Sequence, residues 1–112
     1  MTTSSADVLQ GTLDLLILKA LSLEPKHGWA VSQHIRDSSA GALQVNQGSL
    51  YPALHRLEYR GWIRSTWGSS ENNRRAKFYS LTATGRRQLA LELKQWRKFA
   101  TGVELVLSQQ RS

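Results

Sequence analysis

The sequence has no cysteine, only two prolines and no stretch of uncharged apolar residues long enough to cross a bilayer. The first absence rules out disulfides and thiolate metal sites and suits a reducing compartment. Met1 to Asp7 also lack the basic start and continuous apolar core of an export signal. A soluble, cytoplasmic protein with no membrane partner is therefore expected. Acidic residues are scarce as well: 8 Asp plus Glu stand against 15 Lys plus Arg, for a formal charge of +7. Such a balance favours a polyanionic partner.

What is present suits one folded domain. A chain of 112 residues can build a single core plus one projecting element, and 40% hydrophobic content with four Trp supplies the anchors. The positive charge is concentrated. Arg56, Arg60, Arg64, Arg74, Arg75, Lys77, Arg86 and Arg87 face only Glu58 and Glu71 over the same stretch, whereas a merely solubilising surface mixes both signs.

Periodicity divides the chain into elements. Polar Met1 to Ala6 reads as a frayed end. Leu13, Leu16, Ile17, Ala20 and Leu21 then recur at helical spacing, and Leu15 and Leu18 widen the apolar surface enough to meet a second element or subunit. Pro25 closes this helix or opens the next turn. A second helix is expected from His27 to about Ser38, ended by the Ser38-Ser39-Ala40-Gly41 run. Leu43 to Val45 allows at most a minor strand. Asn46 is a candidate cap for a third helix with Leu50, Leu54 and Leu57 on its buried face and Gly61 as its left-handed stop. Pro52 leaves two readings open: a late start capped by Ser49, or a longer helix interrupted by the ring.

Trp62 to Trp67 and Ala76 to Leu81 read as two strands around a polar, basic tip from Gly68 to Arg75. Thr82 caps a last helix. In it Leu89, Leu93, Trp96, Ala100, Val103 and Leu107 alternate four and three residues apart, a heptad seam that must pack on its own domain or on another chain. The expected fold is mainly α with a small β-hairpin: a winged helix-turn-helix over 8–81, followed by a long C-terminal dimerisation helix over 82–112. In that arrangement the third helix fits a major groove and the hairpin reaches the neighbouring backbone.

Candidate DNA-contacting residues follow from placement. Gln47, Ser49, Tyr51, His55 and Arg56 lie at the start or outer side of the third helix, where side chains reach base edges or phosphates. Asn72, Asn73, Arg74, Arg75 and Lys77 supply donors and charge at the hairpin. Tyr51 has a second reading, closing the core beside Leu54. Catalysis finds no support, since the three His are scattered and no thiol, Ser/His/Asp set or phosphate-cradling glycine loop is present. His27 and His34, seven apart, lack the carboxylates that would complete a metal site, and no cofactor is implied. A winged-helix module that binds proteins rather than DNA is the alternative function.

Several motifs resemble one family. Leu9-Gln10-Gly11-Thr12-Leu13-Asp14-Leu15-Leu16-Ile17-Leu18, His27-Gly28-Trp29, Gly48-Ser49-Leu50-Tyr51-Pro52-Ala53-Leu54, Arg56-Leu57-Glu58 and Arg74-Arg75-Ala76-Lys77-Phe78-Tyr79-Ser80-Leu81-Thr82 with Gly85 closely resemble the PadR family of transcriptional regulators, in the family's order. The resemblance implies a homodimeric winged-helix protein that represses transcription from a palindromic operator on double-stranded DNA. It also implies pairing through the first and last helices, with the single last helix of the smaller family branch. Tyr51 would then sit at the DNA surface. Trp29 stands where the family often has tyrosine. Trp96, Phe99 and Val103 have two readings, dimer packing or a cleft for a small aromatic effector.

Overall fold

In the computed structural model, which describes residues 5–110, the chain runs α1 (Ser5–Leu23), β1 (Lys26–His27), α2 (Gly28–Ser38), α3 (Gln47–Tyr59), β2 (Ile63–Ser69), β3 (Arg75–Leu81) and α4 (Ala83–Leu107). This is the mainly helical, winged arrangement expected. The polar start falls partly outside the described residues, and α1 already includes Ser5 and Ala6. No described helix is long and apolar enough to cross a membrane.

α1 is the central post. Leu13, Ile17, Ala20 and Leu21 are buried as their spacing requires, but so is Leu18, which the pattern assigns to a second element or subunit. The reason is that α1 touches α2, α3, α4 and β3, so more than one of its faces is covered by its own domain. Val31 and Ile35 from α2, Leu50, Ala53, Leu54 and Leu57 from α3, and Ile63, Tyr79 and Leu81 from the sheet complete the core. Each large apolar side chain buried here contributes about 1.5–3 kcal/mol.

Helix ends are set locally. Asn46 caps α3 by accepting a hydrogen bond from the Ser49 N–H at 2.9 Å, so the helix starts early and not at Ser49. Pro52 is therefore the sixth helical residue and forfeits a bond to the Gly48 carbonyl; both residues lie on the exposed side, where water can replace it. At the other end Gly61 adopts φ +77°, with its N–H on the Glu58 carbonyl and the Trp62 N–H on the Leu57 carbonyl. That pair of bonds is a Schellman stop, which a residue with a Cβ would strain.

The sheet departs from expectation in two respects. Leu43 to Val45 forms no strand; Leu43 and Val45 instead pack against the core from a loop. The third strand is β1, whose Lys26 and His27 pair with Tyr79 and Phe78, giving the order β1-β3-β2. Backbone pairing places this strand, and Lys26 is buried with its ammonium on the Ala20 carbonyl at 3.1 Å. The hairpin strands also run further than expected. They take in Ser69 and Arg75 and leave a tip of residues 70–74, turned by Asn73 at φ +59°.

Thr82 joins the last helix to the hairpin. Its hydroxyl accepts from the Gly85 N–H at 3.0 Å and lies 2.7 Å from the Gly61 carbonyl oxygen. Beyond this cap, Gly85 is the one buried residue of α4. Leu89 packs against the core and α4 also touches α1, whereas residues 101–107 are exposed throughout, and the molecule measures 62 × 30 × 23 Å.

Candidate nucleic-acid interface

α3 divides cleanly into two faces. Leu50, Ala53, Leu54 and Leu57 point into the core, while Gln47, Tyr51 and His55, one turn apart, are exposed on the opposite side. Ser49 is half-buried beside its cap. Tyr51 is 45% exposed and does not close the core. Its ring lies over Gly28 at the start of α2, where a Cβ would meet Cε1 and the hydroxyl oxygen at 2.8 Å. A glycine there lets the hydroxyl edge of the ring rest on backbone while the residue stays half-exposed.

The hairpin is locked to the end of α3. Glu58 Oε2 accepts a hydrogen bond from the Ser65 hydroxyl at 2.5 Å, and its Oε1 lies 3.4 Å from Lys77 Nζ. The Ser65 bond, with help from the Lys77 charge, holds the Glu58 carboxyl below the usual glutamate range against the opposing effect of burial. Lys77 also lies 5.7 Å from the centre of the Tyr79 ring. Burial raises the Tyr79 phenol above its ordinary pKa, with Lys77 opposing.

Not all the basic candidates are equally available. Arg56 turns back to α1, where its guanidinium meets Asp14 at 2.5 Å with both side chains largely covered. Lys77 is matched by Glu58. Asn72, Asn73 and Arg74 stand exposed at the hairpin tip, and Arg75 is exposed beside them. Arg75 lies over the Trp67 ring, 4.6 Å from its centroid. Sequence reasoning misses Trp67 and Glu58 as site residues. An aromatic residue in a strand ordinarily signals core, and only the register shows that Trp67 belongs to the tip end of the hairpin.

The histidines are used separately. His27 caps α2, its Nδ1 accepting from the Ala30 N–H at 3.2 Å, and its ring meets Phe78 edge-on at 5.3 Å. His34 pairs with Ser38 at 3.3 Å.

The seam candidates run along α4. Leu89, Leu93 and Ala100 are half-buried, Trp96 and Val103 are about 40% exposed, and Leu107 is 71% exposed. Phe99 and Val103 line an open apolar groove with Gly102, Val106 and Leu107; Trp96 lies beside it, 6.0 Å from Phe99 between ring centres.

Residues 17–91 match the model of the PadR-like family of transcriptional regulators. The chain belongs to that family. Solved structures agree with the assignment. A transcriptional regulator from Clostridium thermocellum is 28% identical, with a TM-score of 0.80 over 88% of this chain and 95% of that one. A PadR-like transcriptional regulator from Bacillus cereus is 28% identical, with a TM-score of 0.79 over 93% and 99%. One from Eggerthella lenta is 29% identical, with a TM-score of 0.78 over 95% and 90%. PadR-like proteins are DNA-binding regulators rather than enzymes.

Proposed function

We propose that this PadR-like chain is a homodimeric repressor that grips a palindromic operator. Residues 8–81 form the reading head and 82–112 the pairing segment, whose helix α4 ends at Leu107. In this reading α3 enters the major groove through Gln47, Ser49, Tyr51 and His55, while Asn72, Asn73, Arg74 and Arg75 hold the adjacent backbone. Arg56 and Lys77 serve the surface indirectly, by fixing α3 to α1 and to the hairpin.

The observation that carries the proposal is the pairing of an exposed polar face on α3 with a hairpin tip whose arginines face no acidic partner among the described residues. Dimerisation draws support from α4, which exposes Leu91, Trp96, Phe99, Val103, Leu105, Val106 and Leu107 on a projecting helix. Apolar surface of that extent calls for a second chain. A planar aromatic effector lodged beside Trp96, Phe99 and Val103 would release the operator; it should quench tryptophan fluorescence, and a full quench in Trp96→Ala would place it elsewhere.

The deciding experiment is a gel-shift titration with the duplex upstream of the protein's own coding region, against scrambled competitor. Retention of the specific complex at physiological salt supports the reading. Binding only at low salt, with no sequence preference, contradicts it.

A further inference from the structure

Trp67 is 61% exposed towards the tip end of β2, a poor place for the largest apolar side chain. A cation partly covers it. The Arg75 guanidinium lies 4.6 Å from the centre of the indole system. Register explains the meeting: Trp67 stands opposite Lys77, so Arg75, two residues earlier on β3, is its diagonal neighbour on the same face.

The two cations of this face differ in what is left for a ligand. Lys77 is matched by Glu58 at 3.4 Å. Arg75 has no ion pair among the described residues. A guanidinium held over an aromatic ring can still use the N–H donors of its edge, the groups that grip phosphate oxygens.

We propose that Trp67 is a positioning residue that holds Arg75 ready for a backbone phosphate of duplex DNA. The proposal rests on the reading of the hairpin as part of a DNA grip. Free arginine side chains lose rotamer freedom on binding, and an indole that fixes the guanidinium beforehand removes part of that cost. The contribution of Trp67 therefore exists only while Arg75 is present. It adds no charge, so it leaves the number of displaced counterions unchanged.

The test is a double-mutant cycle on the full-length protein, titrated with the upstream duplex over a range of salt concentrations. Arg75→Ala should weaken binding and reduce the salt slope by about 0.9 for each phosphate that is no longer neutralised. Trp67→Ala should weaken binding about two- to fivefold, the worth of an exposed cation–π contact, with the slope kept. Trp67→Phe should recover most of the affinity. Trp67→Ala should cost nothing further in an Arg75→Ala background. An equal loss from Trp67→Ala with or without Arg75 would overturn the proposal, because the indole would then be touching DNA itself. An unchanged salt slope in Arg75→Ala, with binding still abolished by Tyr51→Ala, would overturn it while leaving the DNA-binding reading intact. Failure of the wild-type protein to select the duplex would remove that reading too.

Discussion

Glu58 and Ser65 join α3 to the hairpin through a 2.5 Å hydrogen bond, the hydroxyl donating to the carboxylate. This bond, with Lys77 nearby, favours the charged carboxylate. A lowered folded-state pKa contributes stability that is complete above the ordinary glutamate value and disappears as pH falls through the folded one. Glu58→Gln should therefore lower stability by about 1 kcal/mol at neutral pH, in the range of a partly exposed charged contact. The gap between variant and wild type should close in acid. Thermal melts from pH 7 to pH 3 check this, and a gap that widens in acid would contradict it.

Gly85 sits so close to the hairpin that a Cβ would lie 2.0 Å from the Trp62 carbonyl oxygen. Neither backbone can yield without disturbing the Thr82 cap. Gly85→Ala should cost about 2–3 kcal/mol, as overpacking against a rigid neighbour does. Denaturant unfolding measures it, and a loss below about 0.5 kcal/mol, the scale of an ordinary surface change, would mean that α4 shifts freely.

Gly28 supports Tyr51 in another way. A Cβ at Gly28 would strike a flexible, half-exposed ring that can swing outward. Gly28→Ala should therefore cost DNA affinity more than stability. The expected loss is about three- to tenfold, one hydrogen bond's worth, with little change in Tm. Unaltered affinity would take Tyr51 off the contact surface.

Arg56 and Lys77 differ from Arg74 in having acidic partners within the chain. Arg56→Ala leaves Asp14 largely covered and unpaired, and should cost about 1–2 kcal/mol of folding stability. Arg74→Ala should leave stability alone and flatten the salt dependence of DNA binding. Comparing melting curves with salt titrations separates the roles. A larger drop in salt slope for Lys77→Ala than for Arg74→Ala would reverse the assignment.

Features governed by local chemistry were legible in the sequence. Gly61 as a left-handed stop, Thr82 as a cap and the α3 stripe of Leu50, Leu54 and Leu57 each depend on residues a few positions apart. Features governed by distant partners were not. β1 consists of a lysine and a histidine, and exists because β3 offers a backbone edge. The helical start before Pro52 rests on the Asn46 cap outweighing one missing hydrogen bond. Leu18 is covered because α1 is surrounded, which no pattern within α1 records. Charge composition marked Arg56 and Lys77 as candidates without revealing Asp14 and Glu58 opposite them.

Sedimentation equilibrium of the protein, alone and with its upstream duplex, bears most directly on whether paired α4 helices set two reading heads at a fixed spacing. A particle twice the chain mass that adds one duplex per two chains is the predicted result. A single chain at working concentrations, binding DNA one at a time, would contradict it.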